Sequence, residues 1–264
     1  MPEQHLIDVG LATLSTFDHG PADARPLVCV ASLGRGHGDF EPLADALQPH
    51  GLRLIAVDLR GIGDSSGPLD DGLTLHDLAA DVAGVIASMR LATPVDVLGH
   101  AFGNRVVRML ATDRPDLVRS VTLVAAGGRA TPVAEASAAF QRFLADYGLG
   151  ERPASEQLAD VKRAHFAAAS SGEAWMTGWH VAASRSHSAA SRATPVETWW
   201  EAGTAPLLVV QGLEDEIAPP ANGRMLMEAL GERVSLVELE NAGHALLVEQ
   251  PEAVATALAE FLAT

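Results

Sequence analysis

Gly99-His100-Ala101-Phe102-Gly103 is the stretch on which the reading of this chain turns. It follows a short apolar run, Val95 to Leu98. It precedes a segment in which Val106, Val107 and Leu110 share one helical face that stops near Pro115. An apolar run, a glycine-flanked corner and an amphipathic stretch together read as a strand-to-helix turn. Written G-x-S-x-G, such a turn displays a nucleophilic serine at its tip. Here both outer glycines are in place and the tip is alanine. A methyl group cannot attack a carbonyl, accept an acyl group or share a proton with a histidine.

Working outward, short apolar runs alternate with amphipathic stretches, the pattern of a mostly parallel sheet with helices on both faces. Leu27 to Ala31, Leu52 to Val57, Val95 to Leu98, Val121 to Ala125, Leu207 to Val210 and Val234 to Leu239 read as strands. Residues 5 to 17 read as an antiparallel pair leading in. Phe40, Leu43, Ala44 and Leu47 form one helical face before Gly51. Leu75, Leu78, Val82, Ile86 and Met89 form another with Thr74 as N-cap, and Pro251 opens a last helix carrying Val254, Leu258 and Phe261. The rhythm breaks between Thr131 and Gly203, a stretch without a strand that holds all four tryptophans. It reads as a helical lid (131–203) inserted between two parts of an α/β core, 1–130 and 204–264. Ligands of open α/β sheets bind at the carboxyl ends of the strands, so a lid there walls the site.

With 264 residues, 48% of them hydrophobic, the chain can form one large α/β domain with an inserted subdomain. The net charge of −16 argues against nucleic acid and against steering of a polyanionic substrate. No run reaches the roughly 20 apolar residues of a membrane span, and Met1-Pro2-Glu3-Gln4-His5 leads no apolar segment, so a cytoplasmic protein is expected. The lone Cys29 sits in an apolar run and reads as a small core residue. The ten histidines show no metal-ligand spacing, and neither a metal nor a cofactor is expected.

Three further stretches accompany the glycine-flanked corner: Asp58-Leu59-Arg60-Gly61-Ile62-Gly63-Asp64-Ser65, Gly212-Leu213-Glu214-Asp215, and Asn241-Ala242-Gly243-His244. In this order, and across nearly the whole chain, the four resemble the α/β-hydrolase fold superfamily, whose catalytic groups run nucleophile, acid, histidine. The resemblance implies His244 as general base or acid and Asp215 as its orienting carboxylate, with Glu214 the competing carboxylate. It puts Ala101 at the nucleophile position and an oxyanion hole at the backbone N–H groups of Phe102 and Leu33. The loop carrying Leu33 departs from the family's His-Gly opening, reading Ala31-Ser32. Ser32, Arg35, His37, His100, Trp175, Trp179 and His180 are candidates for contact with the substrate. Ser32 is also a candidate displaced nucleophile, and the spacing of Trp175 and Trp179 puts them on one helical face.

Three readings of Ala101 stay open. In one, a His–Asp dyad and an oxyanion hole act on a small to mid-sized carbonyl compound without a serine, by elimination, C–C cleavage, isomerisation, cyclisation or direct water attack. In another, alanine replaces the serine of an esterase, lactonase or thioesterase. In the third, the chain is a binding protein on a hydrolase fold. Substrate and oligomeric state are not legible.

Overall fold

The computed structural model describes residues 2–263; Met1 and Thr264 lie outside the described residues. In chain order the elements are β1 (Glu3–Asp8), β2 (Thr13–His19), β3 (Arg25–Val30), α1 (Glu41–Leu47), β4 (Leu52–Val57), α2 (Leu75–Ser88), β5 (Val95–His100), α3 (Phe102–Asp113) and β6 (Val118–Val124). There follow α4 (Ala134–Asp146), α5 (Ala154–His165), α6 (Val181–Ala193) and α7 (Val196–Trp199). The chain closes with β7 (Leu207–Gly212), α8 (Ala221–Leu230), β8 (Val234–Leu239), α9 (Leu246–Glu249) and α10 (Pro251–Leu262). Each expected strand is present, and residues 5 to 17 lie in the antiparallel pair β1–β2. The eight strands form one sheet in the order β1-β2-β4-β3-β5-β6-β7-β8. From β4 to β8 every pairing is parallel.

The sheet is covered on both faces because its central strands are apolar on both. Val28, Val30 and Val97 pack with Leu78, Val82 and Val107 of α2 and α3. Their neighbours Leu27, Cys29 and Leu98 point the other way, onto Leu43 of α1 and Val254 and Leu258 of α10. Cys29 is thus a core residue, and burial pushes its thiol well up. Thr74 caps α2 in a reciprocal box: its hydroxyl accepts from Asp77 N–H at 3.3 Å while Asp77 accepts from Thr74 N–H at 2.8 Å. Pro251 stands in the first turn of α10, where its missing N–H costs no hydrogen bond. No helix among the described residues is long and apolar enough to cross a membrane.

Residues between β6 and β7 form a helical insert, α4 to α7, without a strand. Trp175 and Trp179 do not share an α-helical face there, contrary to their spacing. Trp175 ends a short 3-10 turn, and Gly172 and Gly178 take left-handed backbone at φ +81° and +80°, which breaks the helix on either side. The two rings still meet edge-on at 5.6 Å, with the Arg35 guanidinium against both.

Backbone packs closely against backbone where α3 crosses the ends of β3 and β5. A Cβ on Gly99 would sit 2.3 Å from Asn104 Cα, and one on Gly103 2.0 Å from the Val30 carbonyl oxygen. Gly103→Ala should therefore cost about 3 kcal/mol or more in equilibrium denaturation. Gly38→Ala, where a Cβ meets nothing within 4 Å, should stay within about 0.5 kcal/mol. Equal costs at the two sites would contradict this packing.

Buried histidines line the seam between core and insert. Burial is the main force holding His100 down to about 3 and His187 down to about 4. His187 stacks on Phe102, with the two rings 5.4 Å apart. Folded, these imidazoles stay neutral; unfolded, they titrate near 6.5. As pH falls from 6.5 toward 4 the unfolded chain binds more protons than the folded one, so stability present at pH 7 is lost over that window. The melting temperature should fall clearly between pH 7.5 and 5. The fall should be smaller in His187→Phe, and an identical pH slope in that variant would contradict the assignment.

Candidate active site

The loops after β3, β5, β6, β7 and β8 converge at the carboxyl end of the sheet, beside the point where strand order reverses between β3 and β5. Ala101 forms the corner between β5 and α3 with φ +50° and ψ −106°, a left-handed backbone uncommon for any residue with a Cβ. The close approach of α3 leaves the chain little other way to turn. Phe102 is the first residue of α3, so its N–H lacks an intrahelical acceptor. After β3, the Arg35 N–H donates to the Ser32 carbonyl at 3.0 Å, closing a tight turn over Leu33 and a left-handed Gly34.

His244 and Asp215 meet in this place. His244 Nδ1 lies 2.9 Å from Asp215 Oδ2, and both side chains are buried. The other carboxylate oxygen of Asp215 accepts from the backbone N–H groups of Ile217 at 2.9 Å and Ala218 at 2.7 Å. With its oxygens occupied by donors, Asp215 serves as acceptor for Nδ1–H, which leaves the opposite nitrogen of His244 as the basic one. Glu214 turns elsewhere: it accepts from Ala168 N–H in the insert at 2.8 Å.

The insert also grips the histidine loop. The His165 carbonyl at the end of α5 accepts from the N–H groups of His244 at 2.8 Å and Ala245 at 2.9 Å. A Cβ on Gly243 would fall 2.8 Å from that carbonyl oxygen and 2.7 Å from Ala167 N, which explains the glycine before the histidine. Glu249 completes the joint, accepting from Gly243 N–H and Ala167 N–H, each at 2.8 Å.

A cavity of about 230 Å³ opens on this cluster. Ala101, Phe102, Ser32, Leu33 and His244 all line it. Other expected contacts stand outside its lining. Arg35 is buried in an ion pair with Asp39 at 2.5 Å and donates to the Thr177 carbonyl. His37 pairs with Asp58 at 2.9 Å. His180 ties two loops, donating its N–H to the Gly34 carbonyl and accepting from Gly63 N–H through its ring. His100 lies behind the corner, its Nε2 2.8 Å from the His244 carbonyl oxygen, and Trp175 and Trp179 pack behind it around His165.

Four polar residues of the lining belong to no recognisable motif: Arg105 on α3, His165 on α5, and Ser188 and Ser191 on α6. His165 is fully enclosed, and burial together with the neighbouring His244 holds it well below the usual histidine range. The one signal in the sequence is a pair of arginines, Arg105 and Arg108, one turn apart on a helix whose only other charge is Asp113.

A family model described as the alpha/beta hydrolase fold matches residues 25–251. A protein named as a carbamate hydrolase, RutD, from Variovorax paradoxus (strain S110) is 32% identical, over 93% of this chain and 94% of its own. The crystal structure of BpoC from Mycobacterium tuberculosis H37Rv, named as a non-heme bromoperoxidase, matches with a TM-score of 0.78 and 26% identity over 95% of each chain. The enol-lactonase from Burkholderia xenovorans LB400 shares the fold, with a TM-score of 0.74 and 24% identity over 96% of this chain and 97% of its own. The chain belongs to the alpha/beta hydrolase fold family.

Proposed function

We propose that this chain is an enzyme acting on a small carbonyl compound through His244 and Asp215, without a covalent acyl-enzyme. The observation that carries the reading is the buried pair at 2.9 Å beside a cavity whose corner residue is Ala101. The basic nitrogen of His244 takes a proton from a water molecule, which attacks the carbonyl carbon. The oxygen that gains charge is held by the N–H groups of Phe102 and Leu33, and the proton passes from His244 to the leaving group. Asp215 supports the imidazolium that forms between the two transfers. The same dyad can instead remove a proton from carbon, for elimination, isomerisation or cyclisation. Water attack is favoured because a relative at 32% identity is named as a hydrolase. The helical insert, 131–203, acts as the lid in this reading, and the partner is a small molecule.

One observation favours a second reading. The corner at Ala101, held at φ +50° by the close approach of α3, has the geometry of the G-x-S-x-G turn, so the same backbone would display a serine there. A serine at this position in the natural protein would make the chain an inactivated esterase, lactonase or thioesterase.

His244→Ala should lower kcat/KM by about 10²- to 10⁴-fold on a carbonyl substrate that the chain turns over, and unchanged turnover would remove the dyad from the mechanism. Ala101→Ser separates the two readings in stopped-flow assays with p-nitrophenyl acetate. The dyad reading expects no acyl-enzyme burst, whereas a stoichiometric burst followed by strong ester turnover would establish the second.

A further inference from the structure

We infer that Arg105 is the binding group for a substrate carboxylate, so that the compound handled beside His244 is a small carbonyl acid. The carbonyl end of this assignment rests on the preceding reading of His244; the carboxylate end rests on the arginine alone.

Arg105 stands one helical turn after Ala101 on α3 and lines the same cavity as His244. Its Nη1 donates to the Ser191 hydroxyl at 2.5 Å, and Ser188 lines the wall beside it. Its Nε is shut off from solvent and has no partner. Arg108, one turn further, is wholly buried and donates only to neutral oxygens, those of Asn104, Gly127 and Trp200. Trp199 lies against both guanidinium groups, at 5.6 and 5.1 Å. Among the described residues no carboxylate pairs with either arginine. Acids are not scarce in a chain with 34 of them against 18 Lys and Arg. Arg25, Arg35, Arg53, Arg60, Arg142 and Arg152 each hold one.

Arg108 is wholly buried and Arg105 half-buried beside it; a cation drawn out of water without an acidic partner is costly, and a bound anion would supply the missing counter-charge. Burial and, after it, the charge of Arg105 push Arg108 down to about 9. A guanidinium presents paired donors that fit the two oxygens of a carboxylate. The cavity, about 230 Å³, is small beside ordinary ligand sites, so carboxylate and reacting carbonyl belong to one short molecule. The acidic surface selects against polyanions outside, while a single negative charge finds its partner within.

The test is calorimetric titration with 2-oxobutanoate, 4-oxopentanoate and 6-oxoheptanoate and the methyl ester of each. At least one acid should bind about 10- to 100-fold more tightly than its ester. Arg105→Met should abolish the difference and Arg105→Lys retain part of it. Removing a half-buried charge that has no acidic partner should leave Arg105→Met folded, with a melting temperature no lower than the parent's. His244→Ala should keep the preference for the acid while losing turnover, which separates this assignment from the dyad. Failure of every acid to bind, equal binding of acid and ester, or unchanged acid binding in Arg105→Met would overturn it.

Discussion

Where α3 passes over the ends of β3 and β5, backbone meets backbone with no room for a side chain. A Cβ on Gly103 would lie inside the Val30 carbonyl and one on Gly99 inside α3 itself. From that approach the rest of the site follows. It forces the intervening corner into left-handed backbone, so residue 101 projects at the carboxyl end of the sheet instead of packing into it. It also brings the first N–H of α3 beside the loop after β3, so that Phe102 and Leu33 line one cavity. The apolar faces of α2, α3 and the sheet hold the crossing in place through burial, which is where most of the stabilisation lies.

The acid and the histidine are delivered differently. Asp215 hangs from β7 and is fixed by two backbone N–H groups of its own loop. His244 hangs from β8, and its backbone is held by the insert, through the His165 carbonyl. One partner of this hydrogen-bonded pair is thus anchored in the core and the other across the joint between core and insert. Glu214 and Glu249 strengthen that joint with hydrogen bonds to insert N–H groups.

Much of this was legible from residue patterns, and the reasons differ by element. The strands could be read because the central ones are buried on both faces and therefore continuously apolar. Thr74 and Pro251 marked helix starts through chemistry confined to the first turn. The glycines at 99 and 103 were informative because each meets backbone. The choice between Glu214 and Asp215 depends on which carboxylate faces β8, and adjacent residues of a turn do not reveal that by type. The tryptophan spacing suggested a helix that Gly172 and Gly178 prevent. Arg35 and His37 resembled loop residues free to meet a ligand, but their partners, Asp39 and Asp58, are made by the fold. Arg105, His165 and Ser191 lie on ordinary helices, and only tertiary packing gathers them.

The carbonyl at 165 has a consequence for how such a molecule diversifies. Inserts between β6 and β7 look like interchangeable parts, attached at two ends and free to vary elsewhere. Here the insert supplies the rest against which the histidine loop is set, and Gly243 is shaped to receive it. Transplanting a foreign insert would bring a new pocket wall but remove the fixture that aims the imidazole. The shape of the cavity wall and the setting of the imidazole are therefore linked in this chain through a single oxygen atom.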